Sequence, residues 1–518
     1  MIARLFGTQP ADRIDQSDVS RGLRALLYEG VLSQAMDSFT GGALLVAFAL
    51  LLGASNVVIG LLAAISPLTQ LLQIPAIYLV DRIVSRKAVV VVSSFFSRIF
   101  WLVVAVIPWL VAPGQRLPVL LACLFFYFGL ASVAACAFNP WMRDFVPEKI
   151  MGRYFGKRMA LATAGGVVVA VLAGTGIEIG KWCSVGEFVP YSILFVLGGM
   201  AGLAGVLVQR RIPEPRAVLQ RSQGVFERLG RPLRDLNFRR LLTFLGTWFF
   251  AINLAGPFYA VYMIEQLQLP MALVVGLSTL GQITSVVSFR GWGRAADRFS
   301  NKSVLYVSGY MYIFSVLLWP FLALSHGYFF TIPLLVVAQV LMGIASAGLN
   351  LCTANIALKA APHGKATSFL ALNTLVHGVT AAVAPILGGV IADRLTGKQL
   401  PIASHLPSAH TAYSYLLSFV PYGLHFIFVI TGILCLCAMH LLRGVRENGE
   451  TKVWVVVTHL ATEAGKALRH VFTLAGPRRL HFLLLGRYRE AGVKAQKGLE
   501  RELIPANPRE RAQTQPKA

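Results

Sequence analysis

Charged residues are scarce in this sequence. Asp, Glu, Lys and Arg make up only 14% of its 518 residues, whereas soluble globular domains carry about 25%. Hydrophobic residues make up 56%, and the mean hydropathy is +0.65. Because so little charge cannot cover the surface of a water-soluble chain of this size, the composition excludes that class and predicts a protein solvated mostly by lipid.

Signatures of catalysis and of metal binding are also absent. The sequence has no Gly-Lys-Ser/Thr phosphate loop, no paired-Cys or His-x-x-x-His pattern and no Gly-x-Ser-x-Gly motif. We therefore expect no cofactor, no bound metal and no enzymatic activity. Cysteine is rare, with six residues. Only Cys183 lies in an outward loop of the predicted topology, so no disulfide framework is available.

Long apolar runs dominate the chain instead. A helical bilayer span needs about 20 mostly apolar residues, and twelve such runs occur between residues 25 and 442. They are continuous rather than alternating, which favours helices over barrel strands. The sequence thus predicts an all-α membrane protein of twelve transmembrane helices, at 25–51, 57–80, 88–111, 118–140, 158–180, 189–209, 241–264, 272–292, 303–324, 328–352, 366–392 and 421–442.

Basic residues are concentrated in one set of alternate loops. The net charge of +24 is therefore a topological signal, because cytoplasmic loops of membrane proteins are rich in Lys and Arg. We expect a multi-pass protein of the plasma (inner) membrane with both termini in the cytoplasm and no nucleic-acid partner. The basic set is Arg82, Arg86 and Lys87, then Arg143, Lys149, Arg153, Lys157 and Arg158, then residues 210–240, then Arg294, Arg298 and Lys302.

The second half of the chain repeats the first at an offset of 216 residues, so that Gly60 aligns with Gly276. The tetrapeptide Phe-Val-Pro-Tyr at 188–191 recurs at 419–422, at the sixth span of each half. Such repetition indicates a duplicated unit. It predicts a cytoplasmic N-terminal segment (1–24), a six-helix bundle (25–209), a basic cytoplasmic linker (210–240), a second six-helix bundle (241–442) and a basic cytoplasmic tail (443–518).

The loops after the second span of each half share a motif. The second copy reads Gly293-Arg294-Ala295-Ala296-Asp297-Arg298-Phe299-Ser300-Asn301-Lys302, and the first reads Ile77-Tyr78-Leu79-Val80-Asp81-Arg82-Ile83-Val84-Ser85-Arg86. Both resemble Gly-x-x-x-Asp-Arg-x-Gly-Arg-Arg, the hallmark loop of the major facilitator superfamily. Ile77 replaces its first glycine in the first copy, and Val84 and Ser300 replace its second glycine. The resemblance covers about residues 20–445.

The resemblance implies a cavity near the bilayer midplane between the two halves, opened alternately to each side by rocking. It also implies that the two motif loops act as gates on the cytoplasmic side. The alternative is that their charges only set the topology and lie on the surface. The candidate gate residues are Asp81, Arg82, Arg86, Gly293, Asp297, Arg298 and Lys302.

Span 1 carries two acidic residues within its apolar run, Glu29 and Asp37. An ionisable side chain inside a membrane is costly, so each is a functional candidate. Eight residues place them on nearly one helix face, about 12 Å apart along the axis. An acid at mid-depth can take up a proton or a cationic substrate. The alternative is that Asp37 pairs with Arg98 of span 3 and only holds the two helices together.

Other polar residues are expected to line the same cavity. His377 in span 11 can titrate near neutral pH and relay protons, although a lone histidine is usually a packing residue. Asn253 is the counterpart of Asp37 in the repeat. Amides, hydroxyls and aromatic faces suit a small, moderately polar or amphiphilic organic solute. The candidate cavity residues are Asp37, Glu29, Gln34, Arg98, Asn253, Tyr259, Asn373 and His377.

The basic tail carries apolar residues at helical spacing between Val453 and Val471. A basic amphipathic helix beside a membrane is expected to lie on anionic lipids of the cytoplasmic surface. We predict a monomeric secondary transporter that moves a small organic solute by alternating access, with protons as the candidate coupling ion. The alternative function is a transporter-like receptor or assembly factor without transport activity.

Overall fold

The computed structural model describes residues 15–73, 75–76, 85–147, 150–184, 186–215, 235–324, 328–359, 366–395, 424–447 and 458. The chain divides into two compact units, Met1–Val453 and Trp454–Ala518, and every helix below belongs to the first. Asp81, Arg82, most of the linker and nearly all of the tail, including its predicted lipid-binding helix, lie outside the described residues.

Helices occur at every predicted span. Eleven of them in the described chain are long and apolar enough to cross a membrane, and a shorter apolar helix occupies the second predicted span. The all-α membrane fold is confirmed, and the helix order agrees with twelve spans. The helices are α1a (Gln16–Thr40), α1b (Gly42–Leu51), α2 (Asn56–Gln70), α3 (Arg86–Leu110), α4 (Arg116–Phe145), α5 (Met151–Trp182), α6 (Val189–Gln209), α7a (Leu236–Ala255), α7b (Phe258–Val261), α8 (Met271–Arg298), α9 (Asn301–Leu318), α10 (Tyr328–Lys359), α11 (Ala366–Leu395) and α12 (Leu424–Leu442).

The packing of the helices follows the sequence repeat. In the first half α1a packs on α5 and α6, α3 packs on α4 and α6, and α2 packs on α4. In the second half α7a packs on α11 and α12, α9 packs on α10 and α12, and α8 packs on α10. The halves meet mainly through two further pairs, α2 with α11 and α5 with α8, which are also related by the repeat, and α1b adds smaller contacts with α7b and α8. We call the ends that carry the basic loops the basic face, and the opposite ends the outer face.

Several helices extend beyond the predicted spans at the basic face. Helix α5 begins at Met151 instead of residue 158, and α8 ends at Arg298 instead of residue 292. Hydropathy detects only the part of a helix that lies in apolar surroundings, whereas backbone hydrogen bonding continues into the polar ends. The motif residues Gly293, Asp297 and Arg298 therefore lie on a helix, not on a loop.

Span 1 is interrupted in its middle. Helix α1a ends at Thr40, Gly41 is extended, and Gly42 has a φ of +58°. A positive φ is accessible to glycine without steric cost, so Gly42 allows the chain to start a second helix in a new direction. The break directly follows Asp37 and places the N-terminus of α1b in the membrane part of the protein, where an irregular backbone is tolerated only beside protein or a cavity.

Candidate functional site

A central cavity of about 290 Å³ lies beside the break in span 1. Its walls come from α1a, α1b and α5 of the first half and from α8 of the second. Polar side chains alternate with small ones around it, which leaves room for a ligand. The lining residues are Gln34, Asp37, Ser38, Gly41, Gly42, Ala43, Leu44, Thr163, Gly166, Val167, Ala170, Val275, Ser278, Thr279 and Gln282.

Among the described residues that line the central cavity, Asp37 is the one with an ionisable side chain. Its side chain is exposed, although the residue lies in the middle of span 1. Its backbone oxygen accepts a hydrogen bond of 2.9 Å from the N–H of Gly41, which closes the last turn of α1a. The last turn of α1a thus directs a carboxylate into a cavity otherwise lined by neutral groups.

Arg98 forms no direct ion pair with Asp37 in the described structure. Its guanidinium donates to the hydroxyl of Ser97 at 3.3 Å. Its stem packs against Gly202 of α6, where an added Cβ would lie 2.6 Å from the Cγ of Arg98. Arg98 therefore lies between α3 and α6, and the ion pair that would join spans 1 and 3 is not formed.

Glu29 lies in an ion pair, outside the central cavity. Its carboxylate accepts a 2.6 Å hydrogen bond from Arg158 of α5 and another of 2.9 Å from Ser33. Gln209 of α6 contacts the same carboxylate at 3.5 Å. The side chain of Glu29 is only 7% exposed. The sequence placed Glu29 on the cavity wall with Asp37, whereas the structure places its carboxylate in the α1a–α5–α6 interface, about two helical turns from Asp37.

The second-half candidates also lie outside the central cavity. Asn253 donates to the carbonyl of Phe249 in its own helix at 2.7 Å. The ring of Tyr259 stacks on Phe428, with 5.1 Å between centroids. His377 is exposed and meets Phe249 edge to face at 4.3 Å. Asn373 is half-buried on α11. Helical periodicity identified these polar positions but did not distinguish a cavity wall from a contact between neighbouring helices.

A second cavity of about 550 Å³ lies towards the outer face. It is lined by the ends of α1b, α5 and α8, together with the chain before α6 and after α7b. Helices α1, α5 and α8 therefore line both cavities, one above the other. Between them Gly174 of α5 lies against Ala272 and Val275 of α8. We call this contact, which lies between the residues that line the two cavities, the constriction.

Carboxylates join the two halves at the outer face. Glu178 at the end of α5 accepts a 2.6 Å hydrogen bond from the backbone N–H of Met271, the first residue of α8. Asp393 at the end of α11 accepts 3.0 Å hydrogen bonds from the backbone N–H groups of Asn56 and Val57, the first residues of α2. Each carboxylate thus caps a helix of the opposite half.

Carboxylates at the basic face cap helices of their own half. Glu214, which follows α6, accepts from the backbone N–H of Arg86 at 2.6 Å and of Lys87 at 3.2 Å, at the start of α3. Glu447, which follows α12, accepts from the backbone N–H of Asn301 at 3.3 Å and of Lys302 at 2.7 Å, at the start of α9.

Several contacts of the described gate candidates lie within one half. The guanidinium of Arg86 pairs with Asp144 of α4 at 2.7 Å, and the ammonium of Lys302 donates to the carbonyl of Val445 at 2.6 Å. Arg298 lies over the ring of Phe299, and Asp297 is exposed. Gly293 lies within α8. These contacts brace each bundle rather than connect the two.

Ser300 shows why the motif usually has glycine at this position. Its φ of +144° is a conformation that side chains rarely adopt. Its hydroxyl accepts a hydrogen bond of 3.2 Å from the N–H of Ser303, so Ser300 caps α9. The turn forms without the motif glycine, and the capping hydrogen bond offsets part of the backbone strain.

Sequence reasoning missed several of these residues. Ser38, Thr163, Ser278 and Thr279 line the cavity, but hydroxyl residues are common in membrane helices and carry little signal. Glu178 and Asp393 had a signal, because both are carboxylates near the ends of helices that the repeat relates to each other.

The chain matches the sequence model of the Major Facilitator Superfamily over residues 30–332 and 292–475. Among solved structures it resembles the nucleoside transporter NupG, with a TM-score of 0.62 at 13% identity, over 83% of this chain and 100% of that one. It also resembles a bacterial homologue of the human lysosomal transporter Spinster, with a TM-score of 0.60 at 16% identity, over 84% and 98%.

A POT family transporter in complex with 5-aminolevulinic acid gives a TM-score of 0.60 at 12% identity, over 85% and 100%. At such identities the likeness concerns the fold. No curated protein matches the chain. The family match spans well over half of the sequence and agrees with the repeated motif and the repeat-related packing. The protein is therefore a multi-pass membrane transporter that belongs to the major facilitator superfamily.

Proposed function

We propose that this protein is a secondary active transporter that moves a small organic solute by alternating access, with Asp37 as the residue that binds the solute or the coupling proton. The observation that carries the proposal is a carboxylate in a cavity between the two halves to which no described residue offers an ion pair. The membrane is the plasma (inner) membrane, and the basic face is cytoplasmic.

The chemistry of the central cavity narrows the solute. Gln34, Ser38, Ser278, Thr279 and Gln282 offer amides and hydroxyls, which suit a solute that both donates and accepts hydrogen bonds. The carboxylate of Asp37 adds a negative charge, which favours a basic nitrogen or a proton. A volume of about 290 Å³ limits the ligand to a small molecule.

The two cavities support a route across the membrane. They share α1, α5 and α8 as walls, and the constriction between them lies where the halves meet. Asp393 and Glu178 join the halves at the outer face. We assign the structure to a state that is closed at the outer face, in which a solute beside Asp37 would be separated from the outer cavity.

Transport by purified protein in proteoliposomes tests this function. A panel that includes a nucleoside and 5-aminolevulinic acid, chosen from the names of the structural neighbours, is followed by counterflow and by uptake driven by a pH gradient. Asp37→Asn is compared with Asp18→Asn, which removes a partly exposed acid from the same helix outside the cavity. We expect Asp37→Asn to lower gradient-driven uptake at least about 100-fold, as for the loss of a group essential to the cycle.

The two assays separate the roles of Asp37. Loss of gradient-driven uptake with counterflow retained assigns Asp37 to proton coupling. Loss of both in a correctly folded variant assigns it to solute binding. Unchanged transport in both assays would remove Asp37 from the mechanism. If the protein binds a member of the panel tightly but exchanges none, the receptor function replaces transport.

A further inference from the structure

The outer face holds two carboxylates that bind across the boundary between the halves. Glu178 accepts from the N–H of Met271 at 2.6 Å, and Asp393 accepts from the N–H groups of Asn56 and Val57 at 3.0 Å each. Asp393 also accepts from the side-chain amide of Asn56 at 2.9 Å. All of these bonds join a residue of one half to a residue of the other.

The two interactions are copies of one another. Glu178 and Asp393 lie 215 positions apart, one less than the offset of the repeat. Their helices, α5 and α11, are repeat equivalents, and so are the helices that they cap, α8 and α2. The first-half carboxylate caps the second half, and the second-half carboxylate caps the first. The same capping interaction therefore occurs at equivalent positions of both halves, which a chance surface contact would not explain.

The physical basis is the start of a helix. The first N–H groups of a helix have no partner within it, and the helix dipole favours negative charge at that end. A carboxylate that accepts from them makes a charge-assisted hydrogen bond. Because each of these bonds needs both halves in contact, it exists only while the outer face is closed. Any movement that separates α2 from α11 must break the bonds of Asp393.

At the basic face, the described helix caps do not depend on contact between the two halves. Glu214 and Glu447 cap α3 and α9 from within the same half, so a rigid rotation of the halves leaves their bonds intact. The four carboxylates cap helices in the same way but differ in whether the bond crosses between the halves. Only the outer pair changes its energy when the two halves move apart.

We infer that Glu178 and Asp393 are paired gate residues that bias the transporter towards the state closed at its outer face. A ligand or mutation shifts a two-state equilibrium only through interactions that differ between the states. These bonds meet that condition. Together they keep the constriction between the central and the outer cavity shut until the rest of the cycle opens it.

Accessibility of the central cavity tests the inference independently of transport. Ser278→Cys is introduced as a reporter in full-length protein whose six native cysteines are replaced, and a membrane-impermeant methanethiosulfonate reagent is added from the outer side. The variant Glu178→Gln/Asp393→Asn is expected to raise the labelling rate roughly 10-fold, the factor expected for loss of a charge-assisted hydrogen bond in one state.

The matched control is Glu214→Gln/Glu447→Gln, which removes the same kind of cap within each half and is expected to leave outer labelling unchanged. Unchanged labelling in the outer double variant, or an equal rise in both double variants, would overturn the inference. If the double variant does not reach the membrane, the labelling test uses the single variants Glu178→Gln and Asp393→Asn, each of which keeps one cap. Failure of both single variants to fold would show a folding role instead of a gate.

Discussion

The Glu29 carboxylate lies 2.6 Å from the guanidinium of Arg158 and joins α1a to α5. Both side chains are largely buried, with 7% and 18% exposed. Asp37, on the same helix, has no such partner in the described structure and faces a cavity. Two acids that look alike in sequence therefore have different surroundings, a buried ion pair for Glu29 and a cavity for Asp37.

Removal of either member of the Glu29–Arg158 pair should strongly destabilise the protein. Because the remaining charge is left buried and unpaired, we expect Glu29→Gln or Arg158→Met to cost about 3 kcal/mol in the free energy of unfolding. The double variant should cost less than the sum, with a coupling of roughly 1–3 kcal/mol. Unfolding in mixed detergent–SDS micelles measures these values. Additive losses would contradict a direct pair.

The same cycle on Asp37 and Arg98 should show weak coupling. The two side chains form no direct ion pair, although the charge of Arg98 acts on Asp37 through space, so we expect a coupling energy smaller than the roughly 1–3 kcal/mol of the Glu29–Arg158 pair. Arg98→Met should keep the packing of the stem against Gly202, whereas Arg98→Ala should be less stable. A coupling energy as large as that of Glu29 and Arg158 would show that Asp37 and Arg98 form a structural ion pair.

Gly60→Ala should hinder closure of the outer face. An added Cβ would lie 2.2 Å from the carbonyl oxygen of Pro385 in α11, so α2 must move away from α11. Gly276, its counterpart in the repeat, has no atom within 4 Å of an added Cβ. Both substitutions change helix propensity equally, so the difference isolates the close contact.

The labelling assay with Ser278→Cys measures the outcome. We expect Gly60→Ala to raise outer labelling and to lower the melting temperature, and Gly276→Ala to leave labelling unchanged and to stabilise the protein slightly. Equal labelling rates in both variants would show that the close contact at Gly60 does not contribute to closure of the outer face.

Ser300→Gly should be neutral or stabilising, by up to about 1 kcal/mol, because relief of backbone strain outweighs a capping loss of a few tenths. Ser300→Ala keeps the φ of +144° and loses the cap, so it should cost about 1 kcal/mol. Ser55, which caps α2 at a φ of −73°, provides the control, and Ser55→Gly should not stabilise. A destabilised Ser300→Gly variant, measured by thermal unfolding in detergent, would show that the turn is unstrained.

The class of the protein and its plan follow from the sequence. Long apolar runs can be solvated only by lipid or by each other, and Lys and Arg on alternate loops set which ends share a face. The offset of 216 residues then relates the two halves, and the helix packing follows it. The pair α1a–α5 in the first half corresponds to α7a–α11 in the second, and the two pairs that join the halves, α2–α11 and α5–α8, correspond to each other. The membrane class, the topology and the repeat depend on local or repeated features of the chain, so they can be predicted from the amino-acid sequence.

The roles of particular polar residues depended on the tertiary structure. Asp37 and Glu29 share nearly one helix face, yet a neighbouring helix supplies Arg158 to one and a cavity to the other. The outer gate likewise requires that α5 meet α8 and that α11 meet α2. Whether a carboxylate lines a cavity, forms an ion pair or caps a helix is determined by residues that are 93 to 337 positions away in the sequence, because side-chain charge acts through space and not along the chain.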